Sequence, residues 1–179
     1  MLSRKEAPPD MNRHKYRMLS LKNVTDDGRI LLAEVEDYYA AEALKCEFFT
    51  RDGDVLVRLS TPYSIVLIAE EEAGVLISSH FAIIRTAKAI DPRYLHWWLT
   101  KNRKRFYQMA SGSTMMGTIS SGYIADMTFD PPPLERQRQV ATLLKMKNRE
   151  QHLLSLLSEK KKKLIDATIK KITKKENPL

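Results

Sequence analysis

The chain has 179 residues, enough for one domain of about 100–150 residues with a packed core plus an appendage, and too few for two catalytic domains. Its net charge is +8, and residues 134–179 hold thirteen bases against five acids, so residues 1–133 are neutral overall and the whole excess sits on the tail. A single cysteine, Cys46, excludes an intrachain disulfide or a cysteine zinc cluster, and there is no signal-peptide core or apolar run of about 18 residues, which points to a reducing, cytoplasmic setting without a membrane span.

Residues 1–15 are polar, contain Pro8-Pro9 and read as a flexible arm. Residues 16–24 and 29–35 read as strands around a turn at Asp26-Asp27-Gly28, where Asp and Gly supply the turn conformations. Residues 38–46 suggest a short helix. Val55-Leu56-Val57, residues 63–69 and residues 74–84 are apolar and β-branched, bounded by Gly53-Asp54, Pro62 and Glu70-Glu71-Glu72, and predict buried strands of one sheet. Asp91-Pro92 predicts a helix start, with Asp as N-cap and Pro in the first helical position. From there Leu95, Trp98, Leu99, Asn102, Phe106 and Met109 share one face, and Arg93, Trp97, Lys101, Lys104 and Gln108 the other. Residues 111–122 form a Gly/Ser/Thr loop whose glycines are too irregularly spaced for a phosphate-binding fingerprint, and residues 123–129 read as a last strand.

Past Pro131-Pro132-Pro133 the character changes. Val140, Leu143, Leu144, Leu153, Leu154, Leu157, Leu164, Ile165, Thr168, Ile169 and Ile172 recur with a roughly seven-residue rhythm and a polar gap at Lys145 to His152, in a stretch without Gly and without Pro before Pro178. This predicts one helix of about forty residues, about 60 Å long, whose apolar stripe must find a partner outside its own domain. Leu153, Leu157, Leu164 and Ile169 are the expected dimer seam. The expected organisation is thus an α+β fold: an arm over 1–15, a mixed-sheet domain over 16–132, a coiled-coil helix over 133–175 and a tail over 176–179.

Catalytic chemistry is hard to find in this pattern. His14, His80, His96 and His152 lack metal-ligand spacing, and no nucleophile triad suggests itself. Asp52 and Asp54 with Glu70, Glu71 and Glu72 could form a metal-binding nuclease cluster, although a solvated turn with a capping carboxylate explains them more simply. Asp130-Pro131-Pro132 invites comparison with the Asp-Pro-Pro-Tyr motif of amino-group DNA methyltransferases, but Pro133 stands where an aromatic must stack a flipped base. No catalytic residue, metal or cofactor is expected. The basic face with Arg93, Trp97, Lys101 and Lys104 suits phosphate tracking on double-stranded DNA and equally suits a solvated helix face. Ser113 and Thr114, in the long polar loop, are candidates for reading base edges, and Arg58 and Tyr63 are a second choice of DNA surface.

Six segments occur in an order that resembles one family: residues 19–30 (LSLKNVTDDGRI), 51–58 (RDGDVLVR), 78–85 (SSHFAIIR), 91–99 (DPRYLHWWL), the loop 111–121, and Pro132-Pro133-Leu134 through Gln137. Over residues 16–172 the chain resembles the target recognition domain and helical spacer of the specificity (S) subunit of type I restriction-modification systems. The resemblance implies a non-catalytic, DNA-reading subunit whose helix sets spacing and docks methyltransferase subunits. Ordinary members carry two such domains and two antiparallel helices. One of each implies a half-size form that acts as a homodimer; the alternative is a homodimeric basic DNA-binding or adaptor protein with no enzyme partner. Two departures stand out: the arm 1–15 replaces the family's opening strand and Gly-containing loop, and Arg136 precedes Gln137 where the family commonly has Glu.

Overall fold

The computed structural model describes residues 14–111 and 117–174. The chain divides into two compact units, Met1–Gln137 and Arg138–Leu179. The expected α+β class, with small sheets followed by a long C-terminal helix, is borne out. The expected arm and tail lie largely outside the described residues.

The first unit is organised around β3 (Val55–Arg58). Val55, Leu56 and Val57 are fully buried because both faces of this strand are covered. Alternate side chains point to opposite faces. Val55 and Val57 join Tyr63, Ile65, Leu95, Leu99, Phe106, Ile119 and Ile124 in one core, whereas Leu56 joins Leu19, Val24, Val66, Ile68, Val75, Ile77 and Phe81 in another. Burying a Val or Leu side chain is worth about 1.5–3 kcal/mol, so this apolar run holds two cores together.

The single sheet expected from residues 55–84 is two. β4 (Ile65–Leu67), β3 and β6 (Phe81–Ile84) form an antiparallel sheet in that order. β5 (Leu76–Ile77) leaves for a mixed sheet, pairing parallel with β1 (His14–Leu19), which pairs antiparallel with β2 (Glu36–Ala40). The cause is the turn at Ser78-Ser79-His80, where the Phe81 N–H donates to the Ser78 carbonyl and splits the apolar run. The strand expected at 29–35 is replaced by a bridge at Ile30 and a 3-10 turn over Leu32–Glu34, and pairing resumes only at Glu36. Buried Asn23 enforces this, its Nδ2 donating to the Glu34 carbonyl at 2.8 Å and its own carbonyl accepting from the Leu31 N–H. The Asp26-Asp27-Gly28 turn forms as expected. Gly28 has φ 81°, and a Cβ there would stand 2.2 Å from the Ile65 carbonyl oxygen. The helix suggested at 38–46 is absent, since Tyr38 to Ala40 complete β2 and only a 3-10 turn, Cys46–Phe48, follows.

α1 (Pro92–Asn102) begins as expected, with the Asp91 carboxylate accepting from the Arg93 N–H at 2.9 Å. It stops at Arg103, and α2 (Lys104–Ser111) restarts the helix. The Asn102 amide donates back to the Trp98 carbonyl, the local competition by which a short polar side chain weakens a helix. The break leaves Met109, expected inside, 46% exposed, while Phe106 stays buried. No strand forms over 123–129. Ser120 caps α3 (Ser121–Ala125), accepting from the Tyr123 N–H, and Ile124 enters the core beside Met127 and Phe129. α4 (Leu134–Lys174) is one helix of 41 residues, about 60 Å long.

Candidate nucleic-acid interface

Arg93, Trp97, Lys101 and Lys104 come from α1 and the start of α2, and the structure separates their chemistry. Arg93 is committed to Asp91, with Nε to Oδ1 at 3.1 Å and Nη2 to Oδ2 at 2.9 Å. These hydrogen bonds hold the Asp91 carboxyl below its usual range and raise the Arg93 guanidinium above its own. Trp97 is half-buried, its ring 5.4 Å from that of Tyr94. Lys101 and Lys104 are exposed and make no ion pair among the described residues. Arg105 is exposed as well and was not singled out above, although the run Lys101-Asn102-Arg103-Lys104-Arg105 carries four bases in five positions. Arg103, in the middle of that run, reaches the Asp26 carbonyl at 3.4 Å and ties the helix break to the Gly28 turn.

Arg58 is half-buried at the end of β3, with Nε 3.4 Å from the Ser60 hydroxyl. Tyr63 is buried, at φ 54°, with its ring against those of Phe106 and Tyr107. Its hydroxyl donates to the Gly117 carbonyl at 2.7 Å, so it supports the end of a loop and offers no face to solvent. Ser113 and Thr114 lie outside the described residues, but the segments on either side of them are well tied. Thr118 bridges Ser60, the Ile119 N–H donates to the Leu59 carbonyl at 2.8 Å, and Ser111 bonds the Tyr107 carbonyl. Tyr107 in turn donates to the Pro62 carbonyl at 3.0 Å.

Two members of the acidic cluster, Asp54 and Glu72, are used structurally. The buried Asp54 carboxylate accepts from the Arg51 N–H and pairs with Arg85 (3.2 and 3.3 Å), whose Nη2 also donates to the Glu47 and Phe49 carbonyls. Glu72 caps the Ala69 N–H. Among the described residues no three His, Cys, Asp or Glu side chains are placed to hold a metal. A cavity of about 640 Å³ lies against β6, α1 and α3, lined by Ile84, Ile90, Leu95, Trp98, Ile124 and Phe129 among others. Its charged lining residue is Arg85, already engaged with Asp54.

Gln137, fully buried, closes the first unit. Its Oε1 accepts from the Asp91 N–H at 2.9 Å, and its Nε2 donates to the carbonyls of Ala89 (3.1 Å) and Pro132 (2.8 Å). One amide thus joins the start of α1 to the first turn of α4. In the second unit, Leu143, Met146, Leu153, Leu154, Leu157, Leu164, Ile165, Ile169 and Ile172 are all more than half exposed. At about 100° per residue, Leu153, Leu157 and Leu164 lie within about 40° of one another, and Ile169 lies about 140° round the helix from them. No described helix is long and apolar enough to cross a membrane.

No family model matches the sequence, and no curated protein matches it. Solved structures do. One is a chain from a structure describing complex assembly and conformational transition of the type I R-M system, with 19% identity, a TM-score of 0.62, and coverage of 89% of this chain and 43% of that one. Another is the HsdS subunit from Thermoanaerobacter tengcongensis, with 19% identity, a TM-score of 0.60, and coverage of 85% of this chain and 41% of that one. This chain spans about two-fifths of the length of either. It therefore has the fold of the HsdS specificity subunits of type I R-M systems, over the extent of one mixed-sheet unit and one long helix.

Proposed function

We propose that this chain is a cytoplasmic, non-catalytic DNA-recognition subunit. One domain reads a half-site of double-stranded DNA, the long helix joins two copies, and the homodimer directs a DNA methyltransferase or restriction complex to its target. The observation that carries this reading is the combination, in one chain, of the HsdS fold with a 41-residue helix whose apolar side chains stand exposed. Lys101, Lys104 and Arg105 follow the phosphates, where exposed cations exchange condensed counterions for protein contacts. The loop carrying Ser113 and Thr114 meets base edges, between flanking segments tied at Gly117 to Tyr63 and at Thr118 to Ser60. Arg58 lies beside Ser60, one of those ties, and adds charge there. Arg93 and Trp97 shape the surface between them. The methyltransferase supplies the cofactor and the bond chemistry.

The test is reconstitution with its cognate modification subunit. The pair should methylate one sequence motif, while the chain alone methylates and cleaves nothing. Activity of the chain by itself would overturn the reading. Specific DNA binding without any association with a modification subunit would favour the homodimeric DNA-binding or adaptor protein instead.

A further inference from the structure

The bases of α4 are not spread evenly round the helix. At about 100° per residue, Lys145, Arg149, Lys160, Lys163, Lys170 and Lys171 fall within one arc of about 100°. Glu150, Glu159 and Asp166 fall outside it, and Leu154, Leu157, Leu164, Ile165, Ile169 and Ile172 centre about 140° away. All six bases are exposed, and none makes an ion pair among the described residues. Along the axis they form three groups, with Leu153 and Leu156 in the arc between the first two. At about 1.5 Å per residue, the midpoint of Lys145 and Arg149 stands about 22 Å from that of Lys160 and Lys163, which stands about 14 Å from that of Lys170 and Lys171. The outer groups are therefore about 35 Å apart, and one turn of duplex DNA is about 34–36 Å.

We propose that this stripe is a second DNA surface, which binds the phosphates of duplex DNA outside the half-site read by the first unit. This deepens the DNA-recognition reading above and rests on it. Groups one turn apart meet the same strand, and the middle group meets the other strand. The unequal steps of about 22 and 14 Å follow the unequal widths of the major and minor grooves. Charge complementarity selects the occupant, because a line of unpaired cations without an acid in it faces a polyanion carrying one charge per about 1.7 Å. The stripe adds affinity and no sequence preference, since phosphate contacts position a protein without reading bases. It also lies on the side of α4 turned away from most of the exposed leucines and isoleucines, so the helix can hold DNA and a second copy at once. A membrane surface would need that apolar side for itself.

Fluorescence anisotropy of the full chain with a mixed-sequence duplex of roughly 40 bp, longer than one turn, tests this across a range of salt concentrations. Lys160→Gln, Lys163→Gln and Lys170→Gln together should lower the slope of log K against log salt by about three. Lys147→Gln, Lys161→Gln and Lys162→Gln remove the same charge from outside the arc and should lower it by less than about one. Glutamine matches lysine in helix propensity, so both triple variants should keep the parent's helical content by circular dichroism. With the cognate modification subunit, the stripe variant should still methylate the parent's motif. Equal losses from the two sets would mean a diffuse attraction and overturn the stripe. So would tighter binding of the parent to phosphatidylserine vesicles than to the duplex at matched salt. A slope that the stripe set leaves unchanged while Lys101→Gln still lowers it overturns the stripe and leaves the DNA-recognition reading standing. No DNA binding by the parent chain, alone or with the modification subunit, overturns both.

Discussion

Gln137 shows how much a single side chain can decide. Its amide satisfies one backbone N–H and two carbonyls, and alanine would leave all three without that partner. Gln137→Ala should lower the unfolding free energy by about 2–4 kcal/mol in urea titrations. Gln137→Glu should be worse, because a carboxylate cannot donate to the carbonyls of Ala89 and Pro132. The motif containing Gln137 was visible in the sequence, but its role was not. Glutamine is usually exposed, and two of its partners, Ala89 and Asp91, lie more than 45 positions away. His96 supplies a second test. Burial lowers its pKa below 6.5, so the ring stays neutral in the folded chain and donates from Nε2 to the Ile65 carbonyl. As pH falls through about 6.5 the unfolded chain takes up a proton that the folded chain refuses, so stability is full above that pH and declines towards the folded value. The urea midpoint should therefore be lower at about pH 5.5 than at about pH 7.5, and His96→Gln should reduce the difference.

Among the elements, those specified locally were legible and those specified by distant partners were not. The Asp91-Pro92 start of α1 and the continuous α4 follow from a cap, a fixed φ and a long run without Gly, all signals within a few residues of where they act. β5 has two residues and exists because Met18 and Leu19 lie beside Leu76 and Ile77, which no periodicity in residues 74–84 reveals. The basic face was legible as a pattern, but its members are unequal because side-chain pairing is a tertiary fact. Neutralising Lys101 or Lys104 should lower the slope of log K against log salt for DNA binding by about one each, across all sequences. Arg93→Gln should leave the slope nearly unchanged, since the Asp91 carboxylate already neutralises that guanidinium. Equal slope changes at all three positions would show that the Arg93–Asp91 pair opens on DNA.

At the scale of the whole molecule, a charge-neutral first unit is followed by a strongly basic helix. If the proposed dimer reads the same half-site with both copies, the two-fold axis makes the target an interrupted palindrome. Mapping methylated motifs with and without the gene checks this, and an asymmetric motif would point to pairing with a different S-like chain. The exposed leucines of α4 carry one more consequence. If, as proposed, a second copy completes this helix, mass action governs it, and its melting temperature should climb with protein concentration. The Phe106 and Leu56 cores of the first unit, closed within one chain, should melt at a temperature that dilution leaves alone. Scanning calorimetry across a hundredfold dilution should therefore resolve two transitions, only one of which moves.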